Sequence, residues 1–255
     1  MATIQNYDTY CTGLKNTFID KAFFVEKLPP CINTIIDYGC ADGSFLKFLQ
    51  SIYGTFYNYI GIETDAEMIE RCKANGISVY PDIKDIPLSI SMDRTCINFS
   101  SSLHEMDFPC DFMLSICNDY NPKIISIRDM YFKTTVCEDE KMNLILHILN
   151  NCIRIYPKKL SDFVKKYPIS CVKDCIHFML KYMYNDNWEK ECDEDYLSLQ
   201  NIYNYYSVDY TPIWEQNYIM PYLLNKWVND GLITEDISER LKNKITTHIQ
   251  FIAQR

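Results

Sequence analysis

The sequence predicts an α/β fold with a doubly wound, mostly parallel sheet. Three observations carry that prediction. Apolar strands alternate with amphipathic helical segments from about residue 34 to residue 129. The stretch "TIIDYGCADGSF", residues 34–45, reads as a buried strand running into a turn of small residues that opens a helix. At 255 residues and 47% apolar content, the chain can also bury a sizeable core.

Taken in order, residues 8–27 place Leu14, Phe18, Ala22 and Val25 close to helical spacing and stop at Pro29-Pro30, which cannot continue a helix. The alternation follows: "NTIIDYG", "SFLKFLQSIY", "YNYIGIE", "AEMIERCKANG", "ISVY", "DIPLSIS", "TCINFSS", a mixed stretch to about residue 120, and "KIISIRD". Its strands imply right-handed crossovers. From about 138 to 200 the pattern becomes helical, in "EKMNLILHILNNCIRIY", "LSDFVKKY" and "VKDCIHFMLKYMY". Beyond it, "YSVDY" reads as a strand, "YIMPYLLNKWVNDG" and "SERLKNKI" as helices, and "THIQFIA" as a closing strand. The expected organisation is an N-terminal helix or lid over 1–30, an α/β core over 31–137, a helical insertion above the sheet's carboxyl edge over 138–200, and a return to the core over 201–255.

Composition narrows the function. No stretch reaches the roughly 18 uninterrupted apolar residues of a membrane span, and "MATIQNYDTYCTG" lacks a secretory signal's basic and apolar regions, so a soluble, cytoplasmic protein is expected. The 12 cysteines are scattered through apolar segments and read as reduced, buried thiols. A net charge of -9 argues against broad nonspecific nucleic-acid binding.

The turn Gly39-Cys40-Ala41-Asp42-Gly43 promises backbone N–H groups that no side chain shields, at the sheet edge where open α/β folds bind ligands. A dinucleotide fingerprint needs a glycine where Ser44 stands, and Asp37 beside the turn opposes a pyrophosphate. No Gly-Lys-Ser/Thr of a phosphate loop follows. A carboxylate here suits a cationic ligand group instead.

These residues resemble the class I S-adenosylmethionine-dependent methyltransferases, whose first motif "IIDYGCADGSF" is similar to, with Ala41 where glycine is more usual. The resemblance implies a Rossmann-like sheet with an antiparallel last strand, for which "THIQFIA" stands. It implies that Asp37, Gly39, Cys40, Ala41 and Gly43 hold the methionine part of S-adenosylmethionine. Glu63, ending "YIGIE", then takes both ribose hydroxyls, with Thr64 beside it. In "VYPDIKDIP", Asp82 and Ile83 fall where the family meets the adenine, although a solvated turn is the plainer reading of Asp82 and of Asp85. "TCINFSSSLHEM" resembles the end of the fourth strand in several subfamilies, bringing Ser100 and Ser101 to the cofactor. The Arg128-Asp129 pair resembles the end of the fifth, and Lys21 and Phe24 lie upstream in the region of resemblance, about 20–132.

Methyl transfer is an in-line displacement in which alignment supplies most of the catalysis. If a base is used, His104, Glu105 and Asp129 are the candidates. Against them stand a structural histidine at 104, a helix-capping Glu105 and an Arg128–Asp129 ion pair. Cys171, Cys175, His177 and Cys192 cluster in sequence, but His177 leaves the face of the two thiols, so buried core cysteines are expected rather than a metal site. Trp188, Glu191, Glu194 and Tyr196 suggest either a substrate-side wall or an acidic helix face.

The resulting expectation is a methyltransferase with a small-molecule acceptor favoured and RNA or protein still open. Strand four lacks the Asn/Asp-Pro-Pro-aromatic motif of amino-group methylation. The alternatives are a noncatalytic cofactor-binding module and a nicotinamide-dependent oxidoreductase, the latter disfavoured by Ser44.

Overall fold

The computed structural model describes residues 7–106, 108–134, 138–182 and 202–255. Seven strands form one sheet in the order β3-β2-β1-β4-β5-β7-β6: β1 Thr34–Tyr38, β2 Asn58–Ile62, β3 Ser78–Tyr80, β4 Thr95–Ser100, β5 Ile124–Thr134, β6 Thr211–Tyr218 and β7 Ile245–Gln254. The pairs β1–β2, β2–β3, β1–β4 and β4–β5 are parallel, and the last strands are antiparallel. The chain therefore has the predicted Rossmann-like, mostly parallel architecture. Strand β4 is buried throughout, as expected of a strand covered on both faces and written as an apolar run.

Three local expectations need correcting. The N-terminal helix is broken into α1 (Tyr7–Lys15), α2 (Phe18–Lys21) and a 3₁₀ turn (Ala22–Lys27), because Thr17 turns its hydroxyl back onto the Leu14 carbonyl at 2.7 Å and closes the first piece. Strand β5 continues to Thr134, so Asp129 lies within it rather than at its end. "YSVDY" is a turn, and β6 begins only at Thr211.

The chain divides into two compact units, and β5, β6 and β7 each contribute residues to both. Of the described residues, one unit contains 7–129, 202–216 and 249–255. Its core packs Phe18, Phe24, Ile35, Leu46, Leu49, Cys96 and Ile252. Helix α3 (Ser44–Tyr53) buries Phe45, Leu46 and Leu49. Helix α4 (Ala66–Ala74) starts where the Asp65 carboxylate accepts the Met68 N–H at 3.0 Å, a side-chain N-cap.

The other unit includes the described residues of 130–182 and 217–248. It contains α6 (Glu138–Ile155), α7 (Pro157–Lys166) and α8 (Val172–His177), which follow the short α5 (Pro109–Ser115) of the first unit, and then α9 (Pro221–Asn229) and α10 (Glu235–Lys242). Ile148, Phe163, Phe178, Leu224, Trp227 and Leu232 form its core. No helix among the described residues is long and apolar enough to cross a membrane.

Candidate functional site

The turn after β1 is built on left-handed backbone: φ is 76° at Gly39, 50° at Ala41 and 71° at Gly43. Glycine is also demanded by packing. A Cβ on Gly39 would stand 2.9 Å from Ser102 Cβ, and one on Gly43 would stand 2.5 Å from Cys72 Sγ. Cys40 turns inward, with Sγ 4.0 Å from that of Cys72. The Cys72 contact, followed by burial, pushes its thiol pKa well up, so this sulfur is inert packing.

The turn's amides do not face outward as the sequence suggested. Gly39 and Cys40 both donate to the Ile62 carbonyl, at 2.9 and 3.1 Å, and Gly43 donates to Cys40 at 3.0 Å. Ala41 donates to Glu63 Oε2 at 2.9 Å and Ser44 to Asp42 Oδ1 at 3.0 Å. A phosphate cradle needs free N–H groups, and these five are already committed.

What the turn does carry is charge. Asp37 is 4% exposed and accepts a 2.7 Å hydrogen bond from Asn98 Nδ2, its register partner on β4, which is paired in turn with Ser126 on β5. Burial lifts the Asp37 carboxyl to about 6, against the opposing pull of Lys21. Lys21, at the end of α2, is 7% exposed. Among the described residues, its ammonium has one hydrogen bond, to the Ser100 carbonyl at 3.5 Å. Burial, then Arg128, lowers its pKa to about 8. Around this couple, Asn98 Oδ1, Ser100 Oγ and Ser102 Oγ are buried without a partner among the described residues. Such orphaned groups are costly and unusual.

Glu63, just past β2, ties two segments together. Oε2 holds the Ala41 amide, while Oε1 accepts the amides of Thr64 at 2.8 Å and Asp65 at 3.0 Å. Asp82 caps its own turn through the Lys84 amide at 3.1 Å and pairs with the Lys84 ammonium at 2.9 Å. These two contacts, the backbone one first, hold its carboxyl below the usual value. Ile83 is buried and Asp85 exposed. Tyr38, the last residue of β1, stacks on Phe99 at 5.4 Å and meets Phe112 edge-on at 5.0 Å. Burial, then the Asp82 carboxylate, pushes its hydroxyl up to about 12.

At the ends of β4 and within β5, the contacts described for Arg128 and Asp129 run to different partners. The Arg128 guanidinium reaches Asp20 Oδ2 through Nε and Nη2, both at 2.7 Å, and donates through Nη1 to Ser101 Oγ at 2.6 Å. Ser101 has φ 61° and donates its amide to the Arg128 carbonyl at 2.7 Å. Asp129, with a side chain 0% exposed, lies 2.6 Å from His104 Nδ1 and accepts the amides of Leu103 and His104 at 2.9 and 3.4 Å. Glu105 is exposed in the same 3₁₀ turn.

The structure thus groups Asp37 with Asn98, Lys21 and Ser100, Glu63 with Ala41 and Thr64, and His104 with Asp129. Asn98 and Tyr38 were missed from the sequence. Asn98 had a signal, being the one amide inside the otherwise apolar "TCINF". Of the thiol cluster, Cys171 caps α8, Cys175 is buried in the helical core, and the His177 ring contacts Phe163 and Tyr167. Cys192 and the Trp188, Glu191, Glu194 and Tyr196 wall lie outside the described residues.

In sequence, the family described as methionine biosynthesis protein MetW matches residues 20–106. No curated protein matches the chain. Among solved structures, the plantazolicin methyltransferase BpumL in complex with SAH aligns with a TM-score of 0.50 and 14% identity, over 98% of this chain and 88% of that one. The plantazolicin methyltransferase BamL, in complex with SAH and a triazolic desmethylPZN analogue, aligns with a TM-score of 0.50 and 13% identity over the same shares. The identities are low, but the coverage is nearly complete: this chain has the Rossmann-like fold of the class I S-adenosylmethionine-dependent methyltransferases.

Proposed function

We propose that the chain binds S-adenosylmethionine at the carboxyl ends of β1, β2 and β4 and transfers its methyl group to a small-molecule acceptor. One observation carries this reading: Lys21 and Asp37 are buried beside each other at the glycine turn, and both have hydrogen-bonding capacity left over. A buried ammonium with a single long hydrogen bond fits an anionic partner, and a buried carboxylate with an open oxygen fits a cationic one. The zwitterionic end of an amino acid supplies both. The unpartnered Asn98, Ser100 and Ser102 atoms fit further polar contacts to that end, and Glu63 at the end of β2 fits the ribose. Ile83 and Tyr38 offer apolar and aromatic surface to the adenine, with Asp82 at its edge. The inward-facing amides of the turn disfavour the nicotinamide alternative. The structural neighbours named as plantazolicin methyltransferases support a small-molecule acceptor.

The cofactor, when bound, supplies a methyl group on a sulfonium, an electrophile that needs no further activation. The protein's own contribution is then to fix its position and exclude water. Lys21 and Asp37 orient the amino-acid end, and Glu63 the sugar. If the acceptor carries a proton, His104, whose Nδ1 is held by Asp129, is the candidate base.

Calorimetric titration with S-adenosylhomocysteine tests the placement. Binding is expected in the wild type and is expected to vanish in an Asp37→Ala, Glu63→Ala double variant that remains folded by circular dichroism. Retained affinity rejects the placement. Conversion of donor to S-adenosylhomocysteine in the presence of a cell extract separates an enzyme from a noncatalytic binding module.

A further inference from the structure

Helix α2 is four residues long and has no side-chain N-cap, so its own hydrogen bonds cannot hold it in place. Asp20 anchors it to the sheet. The Asp20 Oδ2 accepts Nε and Nη2 of Arg128 on β5, both at 2.7 Å, and Oδ1 accepts Nε2 of Gln250 on β7 at 3.2 Å. The same Gln250 amide donates to the Asp20 main-chain carbonyl at 3.2 Å, one of the last carbonyls of α2, which have no partner inside the helix. Two neighbouring strands thus hold one residue of α2, and the next residue is Lys21.

Arg128 also stands close enough to Lys21 to oppose its charge. Lys21 donates to the carbonyl of Ser100, the register partner of Arg128, and the charges acting on its ammonium are Arg128 and Asp129 of β5, Asp37 of β1 and Glu105 after β4. Burial, then Arg128, lowers its pKa to about 8, while the three carboxylates pull the other way. A carboxylate on Arg128 offsets that guanidinium. From this geometry we infer that Asp20 is the positioning residue for Lys21: it fixes α2 against β5 and β7, and it neutralises the Arg128 guanidinium beside the Lys21 ammonium. The inference rests on the donor reading above, in which Lys21 meets the carboxylate of the donor's amino-acid end. In this role Asp20 acts through Lys21 and Arg128 rather than on the donor.

The test follows S-adenosylhomocysteine binding by calorimetry from about pH 7 to about pH 10, in the wild type and in Asp20→Asn, Asp20→Glu and Arg128→Gln, each checked for folding by circular dichroism. Binding to an ammonium weakens on the alkaline side of its pKa, and the ligand's own amino group titrates alike in all four proteins. Asp20→Asn removes the anion and leaves Arg128 uncompensated. The alkaline limb is therefore expected to move about one pH unit towards acid, with about tenfold weaker binding near pH 9. Arg128→Gln is expected to move the limb towards alkali, and Asp20→Glu to keep it in place. Loss of order in α2 cannot produce displacements of opposite sign. An unmoved limb in Asp20→Asn, with binding either unchanged or weakened evenly at every pH, overturns the inference. Should Asp20→Asn not fold, an absent or acid-ward displacement in Arg128→Gln overturns it instead. Failure of the wild type to bind S-adenosylhomocysteine rejects the donor reading itself, which is a distinguishable outcome.

Discussion

Asp129 holds His104 from two directions: its Oδ1 lies 2.6 Å from the ring Nδ1, and its Oδ2 accepts the backbone amides of Leu103 and His104. Both side chains are almost entirely buried, at 2% and 0% exposure. One carboxylate thus fixes the ring's position and the turn that carries it. Replacing Asp129 by Ala leaves several buried donors unpaired at about 1–3 kcal/mol each. Denaturant unfolding of Asp129→Ala is expected to show a loss of about 3 kcal/mol or more. His104→Gln should cost less, because the two amide contacts to Asp129 survive it. An equal loss in both variants would show that the ring contact alone matters.

A second prediction concerns Glu63 without ligand. Gln at this position keeps the size of the side chain but replaces one accepting oxygen with an NH₂ group, which cannot serve both Ala41 and the Thr64–Asp65 amides. The ligand-free Glu63→Gln variant is therefore expected to unfold at lower denaturant by about 1–3 kcal/mol. A purely ligand-facing Glu63 would leave ligand-free stability unchanged.

The Lys21–Asp37 couple predicts a trade between stability and binding. The Asp37 carboxyl titrates near 6 in the folded chain against an ordinary 3.8, so between those values the folded state keeps a proton that the unfolded state has released. Stability from this group falls as pH rises across that window, and the loss persists above it. Lys21, lowered to about 8 from 10.5, adds a cost that stands below pH 8 and is relieved as pH rises from 8 to 10.5. An Asp37→Asn, Lys21→Met double variant is expected to melt at higher temperature near pH 7 by a few degrees. It should also lose S-adenosylhomocysteine binding. A lower melting temperature in the double variant would mean that the pair stabilises the empty protein.

Gly43 is fixed by both conformation and contact. Gly43→Ala places a methyl 2.5 Å from Cys72 Sγ at φ 71° and is expected to destabilise by more than the roughly 1–2 kcal/mol of left-handed backbone strain alone. Adding Cys72→Ala removes the obstructing sulfur. The double variant should recover the contact part, so that thermal unfolding shows positive coupling between the two sites. Strict additivity would show that the neighbouring chain yields without cost.

Some of the site could be read locally and some could not. Left-handed backbone at Gly39 and Gly43 is a single-residue property and shows in residue type. The use made of the turn's amides is different: they face inward because the Ile62 carbonyl and the Glu63 carboxylate arrive from a separate strand. The N-terminal helix misled for a similar reason. Apolar spacing continued through Asn16 and Thr17, but one hydroxyl bonding back to Leu14 was enough to interrupt it.

The sequence by itself determined the strand and helix alternation and the place of the glycine turn, because strands buried on both faces are written as largely apolar runs and sharp left-handed turns favour glycine. The tertiary structure alone decided the partners of the buried charges. Asp37 meets Asn98 across 61 residues and Arg128 meets Asp20 across 108. Neither pairing is written in local spacing, since each depends on which strands lie side by side and on where the N-terminal segment packs. Burial then compels every charge to take whichever partner the fold brings within reach.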